Sequence, residues 1–285
     1  MTFRLLPAVI AFTLLLTAVP NAPGQTSPPA YLAEVTSSVM KATATGRVYQ
    51  ISVALPSGYT RQHVPYPVLY AADANAEFGT LVETARTFAE IPGLVIVGIG
   101  YPNPGVGFDP AWVPRALDLT VAPNPSSPGT NGGAADFLQF IRNDLAPYVE
   151  RTFNVSGDRA WFGHSFGGLF GVYALFNNGG FFRKFIIGSP SLWQGHETLQ
   201  TAEKSFAATG KPLPVKVFFS VGLLEGGMVD DLRAFIGRLE QRHYKGLDYQ
   251  VHYFEDESHF SVIPATIGRG LRYIYSSSSP DKLPH

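Results

Sequence analysis

The chain has 285 residues, a length that fits one α/β domain with a sizeable core once a leader has been removed. Charged residues make up 15% of it, the formal net charge is −1 and no lysine-rich run occurs, so composition argues against a nucleic-acid-binding protein. Cysteine is absent, which excludes disulfides, thiolate catalysis and cysteine zinc sites.

The N terminus predicts a secretory signal peptide over residues 1–24. Arg4 supplies a short basic region, residues 5–18 are nearly all apolar, and Ala22-Pro23-Gly24 offers small residues before a cleavage site at Gln25. An uncleaved anchor is the alternative, but the apolar stretch is too short for a comfortable membrane span. We therefore predict an exported protein, periplasmic or secreted, with no stable membrane insertion after the leader is removed.

The rest of the chain predicts a single domain over residues 46–276, between a flexible lead-in at 25–45 and a tail at 277–285. Short apolar runs alternate with helical patterns, which predicts a mostly parallel sheet. Residues 101–133 are rich in Pro, Gly, Asn and Ser and predict a long irregular loop, a common place for binding. The predicted strands are 46–56, 66–72, 94–100, 160–164, 185–190, 215–221 and 249–254, and the main predicted helices are 80–89, 133–153, 166–177, 228–244 and 262–275.

A Gly-x-Ser-x-Gly motif, Gly163 to Gly167, lies between one of these strands and the helix that follows it. A nucleophile elbow has this arrangement: its serine, here Ser165, sits on a strained strand-to-helix turn where flanking side chains would collide with the backbone. The bland alternative is a glycine-rich helix start with an incidental serine. The strand–turn–helix context favours an α/β-hydrolase fold, with helices on both faces of the sheet and no large separate cap domain.

A nucleophilic serine needs a base and usually an acid, which follow it in this fold in the order serine, acid, histidine. Among the histidines after Ser165, His259 lies in the loop after the last predicted strand, where the base is required. Glu225 lies a few residues beyond the strand that ends at Val221 and is the favoured acid. Asp230 and Asp231 are its rivals, although both also suit the first turn of a helix.

An oxyanion hole is built from backbone amides. One predicted donor is the N–H of Phe166, and the other comes from the loop after the 66–72 strand, near Ala74 or Asn75.

Motifs for other chemistries are incomplete in this sequence. His196-Glu197 lacks the second histidine of a zinc-protease helix, and Gly98-Ile-Gly100 lacks the third glycine of a dinucleotide fingerprint. We expect neither a metal nor an organic cofactor.

Several motifs occur in register over most of residues 30–275: Tyr66-Pro-Val-Leu-Tyr-Ala-Ala-Asp-Ala-Asn75, Arg115-x-x-Asp-Leu-Thr120, Gly163-His-Ser-Phe-Gly-Gly-Leu-Phe170, Ser189-Pro-Ser-Leu-Trp193 and Glu257-Ser-His259. Together they resemble the “putative esterase” family of α/β-hydrolases, in the branch that includes the periplasmic enterobactin (siderophore trilactone) esterases. The family often has Asp-Gly where this chain has Asp73-Ala74.

The resemblance implies Ser165 as nucleophile, His259 as base and Glu225 as the matching acidic position. It also implies that Arg115 and Asp118 lie near the substrate pocket. Trp193 is a further pocket candidate, with a core position as its alternative. Branch membership says little about the substrate, and this neutral chain lacks the dense basic cluster that a triply anionic ferric siderophore would favour.

The sequence therefore predicts a serine carboxylic-ester hydrolase that acts through an acyl-enzyme on a small or siderophore-like ester. An acyltransferase that uses the same site is one alternative, and a non-catalytic ligand-binding domain is another. The expected partner is a small-molecule ester, with no nucleic acid, and the oligomeric state is left open.

Overall fold

The computed structural model describes residues 32–102, 112–126 and 129–275, apart from the side chain of Trp112. The predicted signal peptide and C-terminal tail lie outside these residues. The compact unit considered below begins at Ala33.

The described residues form one eight-stranded sheet with the strand order β1-β2-β4-β3-β5-β6-β7-β8. β1 and β2 are antiparallel to their neighbours, whereas the pairs from β4 through β8 are parallel. The mostly parallel sheet predicted from the sequence is therefore confirmed. The strands are β1 (Val35–Lys41), β2 (Val48–Ala54), β3 (Tyr66–Ala71), β4 (Val95–Gly100), β5 (Val155–His164), β6 (Lys184–Gly188), β7 (Lys216–Gly222) and β8 (Asp248–Phe254).

Helices follow most of the strands and cover the sheet. They are α1 (Ala74–Thr87), α2 (Trp112–Leu119), α3 (Ala134–Phe140), α4 (Ala146–Thr152), α5 (Phe166–Asn177), α6 (His196–Ala208), α7 (Gly227–Arg242) and α8 (Ile263–Tyr275), with a π-helical turn at Ile141–Leu145 and a 3-10 turn at Leu223–Glu225. Among the residues that the structure describes, none of the helices combines the length and the apolar character that a membrane span needs.

Two neighbouring residues of β6 show that helices lie on both faces of the sheet. A Cβ placed on Gly270 of α8 would lie 2.5 Å from Ile186, whereas one on Gly171 of α5 would lie 3.1 Å from Ile187. Successive side chains of a strand point to opposite faces, so α8 and α5 pack on opposite sides. The central strands are buried on both faces, which explains why they read as continuous apolar runs rather than as alternating patterns.

The first strand corrects the predicted lead-in. Residues 25–45 were expected to be flexible, but Val35–Lys41 pairs with β2 over its whole length. This edge strand is rich in Ser and Thr and mostly exposed, so its stability comes from the backbone ladder rather than from a buried face. Periodicity therefore gives no signal for it.

Two helix predictions also need correction. The stretch 101–133 was expected to be irregular, but it contains α2, whose Pro114 lies in the first turn, where a missing N–H costs no helical bond. Helix α1 begins at Ala74 rather than at residue 80, with Gly79 in its interior. Glycine and proline lowered the apparent helical character of both segments.

The helix predicted over 133–153 is interrupted as Pro147 suggested. The N–H of Ala146 donates to the carbonyl of Ile141, an i to i−5 bond, and the π-helical turn ends there. The proline then lies in the first turn of α4. The distortion removes the clash that a proline ring makes with the preceding turn of a regular helix.

The carboxyl ends of β3, β5, β6, β7 and β8 lie at one edge of the sheet, because these strands run parallel. We call the loops that follow them, together with α2 and the described segments beside it, the catalytic edge: residues 72–76, 101–102, 112–126, 129–133, 165, 189–195, 223–230 and 255–262. Loops at this edge build the ligand sites of open α/β sheets.

Candidate active site

Ser165 lies between the last residue of β5 and the first of α5, in a strained conformation with φ 58° and ψ −117°. Positive φ is costly for a residue with a side chain, and the surrounding backbone must impose it. Gly163 permits the close turn, because a Cβ there would lie 2.2 Å from the carbonyl oxygen of Gly167. The motif thus has the local geometry of a nucleophile elbow, with a half-buried serine at its tip.

His259 and Glu225 meet at the same edge although 34 residues separate them in the chain. His259 lies in the loop after β8 and Glu225 at the end of the 3-10 turn after β7. Their Nδ1 and Oε2 atoms are 2.6 Å apart. The Glu225 side chain is 1% exposed and that of His259 is 28% exposed. A buried carboxylate that holds one ring nitrogen fixes the orientation of the imidazole and leaves Nε2 for other partners.

The other oxygen of Glu225 is also fully used. Oε1 accepts a hydrogen bond from Ser189 Oγ at 2.6 Å and one from the amide of Gly222 at 2.7 Å. Burial alone raises the pKa of Glu225, but the hydrogen bonds from His259, Ser189 and Gly222 outweigh it and hold the pKa below its ordinary value. Glu225 is therefore a carboxylate at neutral pH.

The rival acids lie elsewhere. Asp230 is 79% exposed and pairs with Arg233 on the next turn of α7, at 3.3 Å. Asp231 is on the same turn and partly exposed. The structure thus joins Glu225, and neither aspartate, to His259.

The hydroxyl of Ser165 contacts the hydroxyl of a second serine. Its Oγ lies 3.3 Å from Ser191 Oγ, in the loop after β6. Among the described residues this is the side-chain hydrogen bond that Ser165 makes, and no hydrogen bond joins it to His259. Active-site hydrogen bonds are often longer or differently directed without substrate.

Ser189 and Ser191 were not singled out as site residues from the sequence. Both are buried, and their loop links the two halves of the site, since Ser189 binds Glu225 and Ser191 binds Ser165. The signal that could have found them is their place in Ser189-Pro-Ser-Leu-Trp193, directly beyond a strand that ends at the catalytic edge.

The turn after β3 carries the second predicted oxyanion-hole donor, the backbone amide of Ala74 or Asn75. Asp73 has a positive φ of 52°, and α1 begins at the next residue, Ala74, so the amides of Ala74 and Asn75 belong to the first helical turn. Such amides have no acceptor within their own helix. A Cβ on Gly167 would lie 3.2 Å from Ala72, so the first turn of α5 packs beside this turn. The Asp-Gly of the family is not required here, since the left-handed residue is Asp73 itself.

The side chain of Asn75 has a separate role. Its amide group donates to the carbonyl of Tyr101 at 3.0 Å and accepts from the Tyr101 N–H at 2.8 Å. These two bonds tie the start of α1 to the segment after β4. The side chain is thereby engaged away from Ser165, which agrees with a role for the backbone amide alone.

Arg115 was expected at the substrate pocket, but the structure does not support that placement. The guanidinium is buried and makes two hydrogen bonds to Asp73, from Nε at 2.7 Å and from Nη2 at 2.8 Å. It also lies over the ring of Phe166, with Cζ 5.0 Å from the ring centroid. Arg115 thus joins α2 to the turn before Ala74 and to the residue after Ser165. We call this group, Asp73 with Arg115, the buried ion pair.

Glu77 lies close to this ion pair, within α1. Both carboxyl oxygens are buried and, among the described residues, have no hydrogen-bond partner. Burial and the negative charge of Asp73 raise the pKa of Glu77 well above its ordinary value, despite the opposing charge of Arg115. The uncharged form of Glu77 is therefore favoured, and Asp73 balances the charge of Arg115.

Asp118 is likewise not exposed to a pocket. Its buried carboxylate accepts hydrogen bonds from Arg47 at 2.7 Å and from the hydroxyl of Tyr101 at 3.2 Å. Arg47 lies directly before the first residue of β2. The interaction therefore fastens α2 to the sheet, which is a structural role.

Trp193 does line an open cleft. Its side chain is 60% exposed, and its ring lies 6.0 Å from that of Phe166. The cleft has a volume of about 620 Å³ and lies between α2, residues 122–125 and 130–131, and the loop after β6. Phe166, which lines this cleft, directly follows Ser165 in the chain.

His164 is a buried group that the sequence did not indicate. Its ring lies 4.6 Å from that of His259, and neither ring nitrogen has a hydrogen-bond partner among the described residues. Burial lowers the pKa of His164 well below its ordinary value, and the nearby His259 and Arg115 lower it further. His164 is therefore neutral and packs beneath the His259 ring.

Within the described ranges, no cluster of three or more metal-ligating side chains occurs.

With this geometry in hand, comparison with known proteins identifies the family. A sequence model of the family described as “Putative esterase” matches residues 42–262. The ferri-bacillibactin esterase BesA of Bacillus subtilis is 31% identical over 264 residues, which cover 85% of this chain and 90% of that protein. The chain therefore belongs to the esterase family, as its motifs suggested.

Two further relatives agree with this assignment. The siderophore triacetylfusarinine C esterase of Aspergillus fumigatus is 37% identical over 175 residues, which cover 58% of this chain and 59% of that protein. The crystal structure of the BES protein from Bacillus cereus has a TM-score of 0.78 at 30% identity and covers 87% of this chain and 97% of that one. The predicted α/β-hydrolase fold is confirmed.

Proposed function

We propose that the chain is a serine carboxylic-ester hydrolase that works through an acyl-enzyme on a small or siderophore-like ester. The observation that carries the proposal is the hydrogen bond between Glu225 and His259, formed at the edge where the strained, half-buried Ser165 lies. Membership of the esterase family supports ester hydrolysis independently.

In the proposed acylation step, Ser165 Oγ attacks the carbonyl carbon of the ester. Since Glu225 holds Nδ1 of His259, Nε2 is the nitrogen that takes the serine proton. Glu225 stays ionised and stabilises the imidazolium that forms. Collapse of the tetrahedral intermediate breaks the ester C–O bond, and His259 returns the proton to the leaving alkoxide.

In the proposed deacylation step, water attacks the acyl carbon while His259 again accepts a proton. The tetrahedral intermediate then releases the carboxylic acid, and Ser165 regains its proton. Both intermediates carry an oxyanion. The amide of Phe166 and those of Ala74 or Asn75 are its proposed donors, and removal of one such donor typically costs about 10²–10³-fold in kcat.

The siderophore-like part of the proposal rests on what the relatives' names say of those proteins: a ferri-bacillibactin esterase and a triacetylfusarinine C esterase. Both names describe esters of iron-binding compounds. The leader predicted over residues 1–24 adds export to the periplasm or the medium, where such compounds are met.

The test is turnover of p-nitrophenyl butyrate by the purified protein and by Ser165→Ala. We expect turnover by the first and a loss of about 10³-fold or more in the second, because removal of the nucleophile leaves only binding and oxyanion stabilisation. Ser205→Ala, on an exposed part of α6, is the matched serine control and should retain full activity. Equal turnover by Ser165→Ala would overturn the proposal.

A further inference from the structure

The catalytic edge exposes a group of large apolar side chains, which we call the apolar rim. Their exposed fractions range from 37% to 66%. Two directly precede Glu225 and one directly follows His259, so the rim borders the proposed catalytic groups. Its members are Val113, Trp193, Leu223, Leu224 and Phe260.

The cleft beside Trp193 has the same character. Its apolar walls include Val113, Trp193 and Phe166. The polar groups among its described lining residues are neutral amides and a hydroxyl, from Asn124, Thr130, Asn131 and Gln194, and no ionisable side chain lines it. A cleft of about 620 Å³ is large enough for an organic group of drug-like size.

The exposed charges of the catalytic edge are acidic. Asp230, Glu255, Asp256 and Glu257 are exposed or partly exposed. In the described part of this edge the one arginine or lysine is Arg115, which is buried against Asp73.

Two arginines that border this edge are already paired. Arg47 lies between Asp118 and Asp136, at 2.7 Å and 3.2 Å. Arg233 pairs with Asp230 and lies over the ring of Tyr253. An anionic ligand would therefore lose hydration, find both of these arginines already paired, and meet like charges.

We infer that the site takes uncharged esters that carry an aromatic or branched apolar group, and that it discriminates against multiply anionic esters. This inference rests on the proposed function and narrows its substrate class. A tris-catechol trilactone meets the condition when iron-free, since its catechols are protonated and neutral, whereas its ferric complex is triply anionic. A neutral ferric tris-hydroxamate ester meets it with iron bound.

The first test compares kcat/KM for p-nitrophenyl valerate and p-nitrophenyl hemiglutarate, which have the same acyl-chain length and differ by a terminal carboxylate. We expect the neutral ester to be favoured by about tenfold or more at low ionic strength, because like charges at a binding site repel each other. Added NaCl should reduce the ratio, since salt screens repulsion between exposed charges.

Two variants test whether the rim is responsible. Leu224→Lys should raise kcat/KM for the hemiglutarate relative to the valerate. The control is Val64→Lys, at an exposed valine in the loop before β3, which should leave the ratio unchanged.

Trp193→Ala should raise KM for an ester with a phenyl group more than KM for an acetate, and Trp193→Phe should restore much of the difference.

Esters of iron-binding compounds test the same charge preference on larger substrates. Hydrolysis of the iron-free tris-catechol trilactone and of the neutral ferric tris-hydroxamate ester, with slow hydrolysis of the ferric tris-catecholate, would support the inference. Equal or faster hydrolysis of the ferric tris-catecholate or the hemiglutarate would overturn it while leaving ester hydrolysis intact. Failure of the folded protein to hydrolyse any ester would overturn the proposed function, and this inference with it.

Discussion

Glu225 accepts hydrogen bonds from three directions, and together they fix the carboxylate that faces His259. A side chain held in this way needs no reorganisation when the imidazole becomes charged. The role differs from that of Asp230, whose exposed ion pair with Arg233 contributes little to stability or to the site.

Replacement of Glu225 by Gln should separate the three candidate acids. We expect kcat/KM for p-nitrophenyl butyrate to fall by about 10²–10⁴-fold, because the neutral amide neither stabilises the imidazolium nor fixes the tautomer. Asp230→Asn and Asp231→Asn are isosteric controls and should stay within about twofold of the unmodified protein. A large loss in either aspartate variant, with normal activity in Glu225→Gln, would assign the acid elsewhere.

Sequence reasoning selected Ser165, His259 and Glu225 because chain order and strand position constrain them. It did not select Ser189, Ser191 or His164, whose contacts with the site depend on which loops the fold brings together. The family resemblance placed Arg115 and Asp118 near the pocket, but both side chains are buried against partners. Their partners Asp73 and Arg47 lie 42 and 71 residues away in the chain, so the pairing is invisible to local patterns.

At the scale of elements, α2 is the connection between the long segment after β4 and the proposed oxyanion donors. The buried ion pair fixes Asp73 in its left-handed conformation, directly before the amides of Ala74 and Asn75. The same guanidinium contacts Phe166. One side chain therefore braces both turns that carry the proposed donors.

Arg115→Lys is expected to lower kcat by about tenfold or more while KM changes little. Lysine keeps the charge but cannot form the bidentate contact, so the turn before Ala74 loses its fixed geometry, and small displacements of catalytic groups are costly. The measurement is steady-state kinetics beside a thermal unfolding curve. A lysine variant with unchanged kcat would show that the ion pair does not position the donors.

Arg115→Met leaves the Asp73 carboxylate buried without its partner and is expected to destabilise the fold by about 3–5 kcal/mol. The double variant Asp73→Asn with Arg115→Met should recover part of the stability but not kcat. This separates a positioning role from a purely structural one.

Elements were predictable where burial shapes their sequence. The runs in β3, β4, β6 and β7 are apolar because both faces are covered. Edge strand β1 has no buried face and was missed. Helix α2 was missed because Pro114 and two buried charged residues obscure its apolar face, and those charges are tolerated only through partners that other elements supply.

At the scale of the whole molecule, an uncharged, buried histidine lies at the end of β5, one of the inner strands of the sheet. His164 ends β5 and has a pKa well below the ordinary value of 6.5. Below that ordinary value the unfolded chain binds a proton that the folded protein does not. Stability from this residue is therefore complete above a pH of about 6.5 and decreases as the pH falls below it.

The unfolding free energy should consequently decrease by up to about 1.4 kcal/mol per pH unit below 6.5 on account of His164. Urea unfolding of the protein and of His164→Asn between pH 5 and pH 8 measures this contribution. The variant should show a shallower dependence on pH, whatever its stability at pH 8. Equal slopes in the two proteins would mean that His164 takes up a proton in the folded state.

The overall topology followed from the sequence because alternating strands and helices allow few arrangements, and the elbow motif selects among them. The positions of side chains that meet across the catalytic edge did not follow, since they depend on strand order in the sheet. β5 lies between β3 and β6, which brings the turn at Asp73 and the loop at Ser189 to either side of Ser165.

The central claim, that Ser165 is the nucleophile of an acyl-transfer site, is tested most directly by covalent labelling. The folded protein would be treated with a fluorophosphonate, and the adduct located by intact mass and peptide mass spectrometry. We predict one adduct, on the peptide that contains Ser165, and none in Ser165→Ala. Labelling at another residue, or no labelling of protein that hydrolyses esters, would contradict the account.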